Sequence, residues 1–245
     1  MKTASPDSPR KPEPKSILLI GPPGGGKTTL ALQFPNVYVL DCDLNLSGPE
    51  NYLRQAGRPP LEFRYDQIPF DDAGNPVPVQ QQWKRLIEKI ILAVVDPWVK
   101  TIFLDGLTAV DEILLQHVLR TQATTTMRQQ DWIPFRSAMV GLIMQIRTTG
   151  KTSIVSCHEK TETDEKGNVE AFKPAFRSKI GDFFGGFFTD MWRCQAKPGV
   201  AGKTSFWVYP QRTSRSDLKN SVLMPPEIEL PAQGAFEAVN KYLKL

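Results

Sequence analysis

Short runs of apolar residues alternate along this chain with longer segments in which apolar residues recur every three or four positions. Each short run is bounded by polar residues, Gly or Pro, which is typical of a strand buried on both faces of a parallel sheet. The longer segments, Trp83–Val94 and Ile133–Ile146, have the spacing of amphipathic helices. Strand alternating with helix predicts an α/β fold with a mostly parallel central sheet flanked by helices. The predicted strands are Ser16–Ile20, Val37–Asp41, Thr101–Asp105 and Ser153–Cys157.

The alternation of predicted strands and helices is interrupted towards the C-terminus and in two internal segments. Thr189–Gln195 and Ser205–Tyr209 are strand-like and flank a stretch with Pro and Gly, which predicts a C-terminal β-hairpin. Segment 58–79 is rich in Pro, Asp and Gly and segment 121–131 is polar, so we interpret both as loops or insertions. The length of 245 residues admits one large domain or two small ones. We expect a disordered Pro-rich tail over residues 1–15 and one domain over residues 16–245.

Composition argues against several classes of protein. Apolar residues make up 40% of the chain and charged residues 23%, which is ordinary for a globular protein. The longest apolar run, Ile90–Val95, is far short of the roughly 20 residues that cross a bilayer, and no apolar segment precedes Ser16 as in a secretion signal. We therefore expect a cytoplasmic protein with no membrane partner. Two histidines are too few for a zinc cluster, and three cysteines without CxxC spacing are expected to be reduced core thiols: Cys42, Cys157 and Cys194.

A glycine-rich loop after the first strand carries the strongest chemical signal. Gly21–Thr28 fits the pattern G-x-x-x-x-G-K-[ST], in which backbone N–H groups and a helix N-terminus surround phosphate oxygens. Lys27 should reach the β- and γ-phosphates, while Thr28 and the strand-end Asp105 should hold Mg²⁺. The sequence thus predicts that ATP and Mg²⁺ bind here. The predicted nucleotide-binding residues are Gly21, Pro22, Pro23, Gly24, Gly25, Gly26, Lys27, Thr28 and Thr29.

Two further strand ends carry groups suited to catalysis. Asp43 follows the second strand, and we predict that its carboxylate orients the attacking water. Asp41, Glu112 and Glu159 are rivals for this role. His158 follows the fourth strand at the edge where ligands bind to open α/β sheets, and a γ-phosphate sensor role competes there with a structural one.

Charge is unevenly distributed along the chain. The net charge of +4 is too small to indicate a nucleic-acid partner by itself. Residues 171–219, however, contain nine Lys or Arg residues and three Asp residues, a local charge of +6. Cations that pair with phosphates and rings that stack on bases occur together in this segment. The predicted DNA-binding residues are Lys173, Arg177, Lys179, Phe172 and Phe176.

The order of these features resembles the RecA-like P-loop ATPase core. It resembles more closely the compact phage nucleotide-binding proteins of that group, which include single-strand annealing proteins of the AAA-type phage ATPase family. The resemblance spans about residues 16–225 and implies a RecA-like ATPase domain. It also implies that Asp43, where the family commonly has Glu, is the catalytic carboxylate and that His158 is the sensor. The matching segments are Gly21–Thr28, Val37–Asp43, Thr101–Asp105, Asp131–Trp132 and Ile154–Lys160.

The same resemblance implies partners. Glu159–Lys179 would be a mobile DNA-binding loop. Arg212 and Arg215 would reach the ATP of a neighbouring subunit as arginine fingers, in a homo-oligomeric ring or filament with ATP at the subunit interfaces. If the chain is phage-encoded, it would act in the host cytoplasm with phage or host replication or recombination proteins.

Two functions of different classes follow. The first is a DNA-stimulated ATPase that binds single-stranded DNA and promotes annealing or recombination. The second is a nucleotide-dependent switch or loader that acts on a protein partner with little hydrolysis. A small-molecule kinase is a third hypothesis, for which the candidate phosphate-binding residues are Arg128, Arg136 and Arg147. The sequence does not distinguish ATP from other nucleoside triphosphates.

Overall fold

Strands and helices alternate along the chain in the computed structural model, which describes residues 14–57, 61–177, 184–199, 204–232 and 234–245. The strands are β1 (Ser16–Gly21), β2 (Val37–Asp41), β3 (Phe63–Gln67), β4 (Thr101–Asp105), β5 (Thr152–Thr163), β6 (Val169–Pro174), β7 (Asp190–Pro198), β8 (Thr204–Tyr209) and β9 (Ile228–Leu230). The α-helices are α1 (Lys27–Ala31), α2 (Ser47–Gln55), α3 (Val79–Val95), α4 (Leu107–Thr121), α5 (Trp132–Arg147) and α6 (Ala235–Leu243). Residues 1–13 of the predicted tail lie outside the described part of the chain.

The central sheet has the strand order β3-β2-β4-β5-β1-β7-β8-β9, and β6 pairs with β5 outside this series. The strands from β3 to β7 in this order are parallel, whereas β8 and β9 are antiparallel to their neighbours. The prediction of a mostly parallel α/β sheet is therefore confirmed. Strands β7 and β8 form the predicted C-terminal hairpin, in which Arg193 pairs with Tyr209 and Pro198 with Thr204.

Helices cover both faces of the sheet because both faces are apolar. Alternate residues of β1 contribute to two separate clusters, with Leu18 and Ile20 on one face and Ile17 and Leu19 on the other. The first cluster packs against α3, α4 and α5, and the second packs against α1 and α6. Burial on both faces explains why the strands of the sheet centre are continuous apolar runs.

Segment 58–79 contains a strand that the sequence did not predict. Phe63–Gln67 forms β3, a parallel edge strand whose residues pair with Val37–Asp41. Asp66 in this strand accepts a hydrogen bond from the Tyr38 hydroxyl and pairs with Lys89 at 2.8 Å. These contacts bind the segment to the sheet and to α3, so a loop was the wrong interpretation for Phe63–Gln67. Segment 121–131 has only a single turn of 3₁₀ helix, at Gln129–Asp131.

The segment after His158 is also more ordered than a loop. Strand β5 continues to Thr163, and the chain turns back through β6, with Glu159 opposite Pro174. Asp164 closes the turn by accepting hydrogen bonds from the backbone N–H groups of Lys166 and Asn168 at 2.9 and 2.8 Å. The prediction of a loop over Glu159–Lys179 is therefore wrong for residues 159–174, which form a β-hairpin. None of the described helices is both long enough and apolar enough to span a membrane.

Removal of a ring at the sheet centre should destabilise the fold strongly. Phe103 in β4 is fully buried, whereas Tyr65 in the edge strand β3 is 56% exposed. We expect Phe103→Ala to lower the free energy of unfolding by about 3–5 kcal/mol because it removes buried contacts and leaves a cavity. Tyr65→Ala should cost less than about 1 kcal/mol. Urea unfolding followed by circular dichroism measures both, and equal losses would contradict this description of the core.

Candidate nucleotide-binding site

The glycine-rich loop joins β1 to α1, as its sequence predicts. Its shape requires glycine at two positions in particular. Gly26 has a φ of +91°, and a side chain there would place Cβ 2.8 Å from the Phe206 ring of β8. At Gly21 a Cβ would overlap the backbone carbonyl of Cys194 in β7. The loop therefore rests directly on the β7–β8 hairpin, and side chains cannot be accommodated between them.

Lys27 lies inside this loop. Its side-chain Nζ donates hydrogen bonds to the carbonyl oxygens of Gly21 and Pro22, each at 2.9 Å, and the residue is only 8% exposed. The pocket that the loop borders encloses about 230 Å³. Of the predicted nucleotide-binding residues, Pro23 to Thr29 line this pocket, whereas Gly21 and Pro22 act as acceptors for Lys27.

Asp105 connects the loop to the middle of the sheet. Its carboxylate accepts hydrogen bonds from the Thr28 hydroxyl at 2.9 Å and from the Ser156 hydroxyl at 2.5 Å. Burial raises the pKa of Asp105 to about 6, although both hydrogen bonds oppose this shift. Ser156 also accepts a hydrogen bond from the backbone N–H of Gly106 at 2.8 Å. Sequence reasoning missed Ser156, whose only signal was its position in a strand next to Asp105.

Asp43 and His158 meet at the wall of the pocket next to Gly106. The Asp43 carboxylate lies 3.9 Å from Nε2 of His158, and both residues line the pocket. Burial raises the pKa of Asp43, while His158 and Lys27 oppose the shift. The His158 Nδ1 atom is buried and has no hydrogen-bond partner among the described residues. The sequence predicted each of these residues separately, and the parallel pairing of the strands brings them together, although β5 continues past His158 to Thr163.

The rival carboxylates are engaged elsewhere. Asp41 is fully buried and accepts a hydrogen bond from the Leu44 backbone N–H at 2.8 Å. Glu159 forms two hydrogen bonds with the Arg193 guanidinium, at 2.7 and 2.9 Å, and Glu112 pairs with Arg177. None of these carboxylates lines the pocket. Asp43 is therefore the carboxylate best placed to act on a bound triphosphate.

A second group of pocket residues comes from α2 and β8, and sequence reasoning missed it. The rings of Tyr52 and Phe206 meet edge to face with centroids 5.0 Å apart, and Phe206 also contacts the glycine-rich loop. Pro49 extends this apolar wall. No sequence pattern identified these residues, because they converge only after α2 packs beside α1. Asn45 and Gly48 complete this side of the pocket.

The predicted arginine fingers lie away from this pocket. Arg212 pairs with Asp217 at 3.0 Å on an exposed turn, and Arg215 lies on the same turn. Neither residue lines the nucleotide pocket within its own chain. A role towards a neighbouring subunit stays a prediction.

The predicted DNA-binding residues are largely occupied by contacts within the chain. Phe176 is 8% exposed and its ring packs against Phe184 with centroids 4.6 Å apart, which argues against a base-stacking role. One face of the Phe172 ring is covered by the Arg193 guanidinium, 3.8 Å from its centroid. Lys173 pairs with Glu162 at 2.9 Å. Lys179 lies outside the described residues.

The Arg177 side chain contacts two acidic residues of α4. Its guanidinium pairs with Glu112, and its Nε lies 3.6 Å from the buried carboxylate of Asp111. Burial raises the pKa of Asp111 to about 6, although Arg177 opposes the shift. Arg177 thus joins the end of the β5–β6 hairpin to the helix that follows Asp105.

The three cysteines surround the pocket from within the core. All three are buried and free, as the sequence predicts. Cys42 precedes Asp43, Cys157 precedes His158, and Cys194 carries the carbonyl that lies against Gly21. Burial raises the pKa of the Cys157 and Cys194 thiols to about 12. No group of three or more His, Cys, Asp or Glu side chains that could hold a metal ion occurs among the described residues.

Gly106 leaves room for the Asp43 carboxylate, and a methyl group there should displace it. Gly106 has a φ of +92°, and an added Cβ would overlap that carboxylate. Gly150 is a matched control because it has a φ of +78° with no atom within 4 Å of an added Cβ. We expect Gly150→Ala to lower the free energy of unfolding by about 1 kcal/mol, and Gly106→Ala to cost about 1–3 kcal/mol more. Urea unfolding tests this, and equal losses would show that Asp43 does not fill this space.

Asp111 should make stability depend on pH. Because its pKa is about 6 in the folded protein and 3.8 is its ordinary value, the folded state binds the proton more tightly. The contribution of Asp111 to stability is thus complete below pH 3.8 and is lost as the pH rises through 6. Relative to the wild type, Asp111→Asn should gain roughly 2–3 kcal/mol of unfolding free energy between pH 4 and pH 7. Urea unfolding at several pH values measures this gain, and the exposed Asp217→Asn variant is the control.

Comparison with known proteins places the chain in a family. The family profile described as an AAA domain matches residues 13–222, a range that includes the glycine-rich loop, Asp43, Asp105 and His158. Among solved structures, a KaiC-like protein of the hyperthermophilic archaeon Pyrococcus horikoshii OT3 aligns with a TM-score of 0.49 and 14% sequence identity, over 89% of this chain and 85% of the other. No curated protein matches the sequence. Because the family profile covers most of the chain, the protein belongs to the AAA domain family of P-loop NTPases.

Proposed function

We propose that this chain hydrolyses ATP with Mg²⁺ in the pocket between the glycine-rich loop, Asp105 and Asp43. One observation carries the proposal. The loop and its lysine, a Thr28–Asp105 pair and a half-buried carboxylate next to His158 all border a single pocket. This set supplies phosphate binding, hard oxygen ligands and a base at one place, which phosphoryl transfer requires.

The residues present suit both groups that the reaction needs. Backbone N–H groups of the loop and the Lys27 ammonium are donors for phosphate oxygens. The Thr28 hydroxyl and the Asp105 carboxylate are oxygen ligands, which Mg²⁺ prefers, and they already lie 2.9 Å apart. When bound, Mg²⁺ would neutralise charge on the phosphates. The buried Asp105 carboxylate has only neutral hydrogen-bond donors, so a cation would also stabilise its ionised form.

Asp43 and His158 would act at the terminal phosphate. Asp43 would orient the attacking water and accept its proton, and the burial that raises its pKa makes it a better base than an exposed carboxylate. Because the side chain of Asp is shorter than that of Glu, the attacking water would lie closer to the end of β2 than it would with Glu at this position. His158 would hold the Asp43 carboxylate in place and contact the γ-phosphate.

The apolar wall would receive the base of the nucleotide. Tyr52, Pro49 and Phe206 offer ring faces and edges next to the loop, which suits a planar heterocycle. These side chains give no hydrogen-bond pattern that separates adenine from guanine. The proposal of ATP therefore rests on the family, and the assay should include GTP.

Single-stranded DNA is our proposed partner, and annealing or recombination in the cytoplasm of a phage host is the proposed setting. Within the basic segment 171–219, Arg215 and Lys219 form no ion pair with any described residue, which supports a polyanionic partner. Assembly into a ring or filament is proposed as well, with Arg212 or Arg215 reaching a neighbouring pocket. The kinase hypothesis loses support, because Arg128 pairs with Asp131 and Arg147 bonds the Phe187 carbonyl, and neither lines the pocket.

The ATPase rate of site variants tests catalysis. Lys27→Ala should lower kcat at least about 100-fold because it removes charge that stabilises the transition state. Asp43→Asn should lower kcat by about 10²–10⁴ while Mg²⁺–ADP binding changes less than about threefold. Glu112→Gln, which alters a carboxylate outside the pocket, should stay within about twofold of the wild type.

The same ATPase assay distinguishes the DNA-stimulated ATPase from the nucleotide-dependent switch or loader. A rate that rises with a single-stranded oligonucleotide at low salt supports the DNA-stimulated ATPase. Tight ATP binding with no measurable turnover, with or without the oligonucleotide, would overturn hydrolysis and favour the switch or loader that acts on a protein partner. Normal hydrolysis in Asp43→Asn would remove Asp43 from the proposed mechanism.

A further inference from the structure

A second cleft lies between β6 and the turn at residues 213–219. It encloses about 580 Å³ and shares no lining residue with the nucleotide pocket. Its walls combine the cations Lys173, Arg215 and Lys219 with the apolar side chains of Phe172 and Met191. A volume of this size is typical of small-ligand sites. The cleft is therefore large enough to hold a ligand of its own.

Backbone hydrogen bonds fix the shape of this cleft. The Phe172 N–H donates to the Arg215 carbonyl at 2.8 Å, which ties the turn to β6. Met191 and Lys219 exchange backbone hydrogen bonds at 2.8 and 3.2 Å, which tie the end of the turn to β7. The turn is thus hydrogen-bonded to both β6 and β7, which fixes the backbone that carries Arg215 and Lys219.

The positive charge of the region is concentrated in this cleft. Of the basic residues that the structure describes between 171 and 219, five pair with carboxylates: Lys173, Arg177, Arg193, Lys197 and Arg212. Arg215 and Lys219 form no ion pair with any described residue, and both line the cleft. The acidic residue in the cleft wall, Asp217, is paired with Arg212 at 3.0 Å. The cleft thus has positive charge that the described carboxylates do not balance.

The surroundings of Lys219 support this conclusion. Burial lowers the pKa of Lys219, and the positive charge of Arg147 lowers it further. Asp190 acts in the opposite direction, but its carboxylate accepts hydrogen bonds from the Ser221 N–H and hydroxyl at 2.7 and 2.9 Å. An anion in the cleft would therefore stabilise Lys219 in its charged form.

We propose that this cleft binds a nucleotide phosphate, either in a free nucleotide or within a single strand of DNA. Arg215 and Lys219 would pair with the phosphate, the hydroxyls of Ser214 and Ser216 would donate hydrogen bonds, and Phe172 and Met191 would contact the sugar or base. If the ligand is a single strand of DNA, the cleft would be the site that binds the DNA partner proposed above, and the inference then rests on that part of the proposed function. It does not depend on hydrolysis.

Contacts also connect the cleft with the nucleotide pocket. The Phe172 ring lies under the Arg193 guanidinium, Arg193 is paired with Glu159, and Glu159 follows His158 in β5. A ligand that shifts Phe172 would therefore act on an ion pair next to the proposed sensor. This connection gives the cleft a way to influence hydrolysis.

Binding of a fluorescein-labelled 20-nucleotide oligothymidylate tests the cleft directly. Anisotropy would be measured with saturating Mg²⁺–ADP, which fills the nucleotide pocket, over a range of salt concentrations. We expect the double variant Arg215→Ala/Lys219→Ala to bind at least about tenfold more weakly and the slope of log affinity against log salt to fall by about 1.4. Arg215→Ala alone, on an exposed turn, should show at least about a threefold loss. Thymidine monophosphate, titrated directly and followed by calorimetry under the same conditions, is the second probe and distinguishes a free nucleotide from a strand.

Lys197→Ala is the matched control because Lys197 lies in the same basic segment but is paired with Glu227 at 3.1 Å and lines neither pocket. This variant should bind within about threefold of the wild type. Losses that follow Arg215 and Lys219 but not Lys197 support the cleft, for whichever ligand binds. Binding by the wild type that neither Arg215→Ala nor the double variant weakens would overturn the cleft and leave the DNA partner intact. A wild type that binds neither probe would overturn the cleft and the DNA partner, while the ATPase assay would still report on hydrolysis.

Discussion

The buried carboxylate of Asp105 is the point on which the rest of the site depends. It accepts hydrogen bonds from Thr28 at the start of α1 and from Ser156 in β5, so one side chain joins the glycine-rich loop to two neighbouring parallel strands. Ionising it inside the core costs free energy, which its raised pKa expresses. Lys27 forms no hydrogen bond with this carboxylate, because its ammonium donates to the carbonyl oxygens of Gly21 and Pro22. Asp105 thus accepts hydrogen bonds from two hydroxyl groups, and the proposed Mg²⁺ would add a positive charge beside it.

Local signals predicted the parts of the fold that are buried on both faces. The strands of the sheet centre are continuous apolar runs, and the loop of Gly21–Thr28 carries its own spacing pattern. Asp43 and His158 could be predicted as neighbours because parallel strands end at one edge of a sheet. Strand β3 was missed although Phe63 and Tyr65 alternate with Arg64 and Asp66, because the strand is short and lies in a segment rich in Pro, Asp and Gly. The wall of Tyr52 and Phe206 depends on packing between elements that are far apart in sequence.

Charge counted along the chain gave a misleading impression of the surface. Four of the paired basic residues in segment 171–219 were counted without the carboxylates that face them, because those carboxylates lie outside the segment. Glu112, Glu159, Glu162 and Glu227 are the partners, and each lies at least 11 positions from the residue that it neutralises. A local excess of charge in a folded chain is therefore a property of neighbours in space. Among the residues that the structure describes in this segment, the cations without an ion pair are Arg215 and Lys219, and both lie in one small cleft.

Alkylation of the three buried cysteines would report opening motions of the walls of the pocket. Each cysteine is buried, and the pKa of Cys157 and Cys194 is about 12, so very little thiolate exists at neutral pH and reagents in solvent cannot reach it. Alkylation therefore requires the surrounding strands to separate. Since Cys42 follows β2, while Cys157 lies in β5 and Cys194 in β7, their separate labelling rates would measure how often each of these strands separates from its neighbours in the native protein.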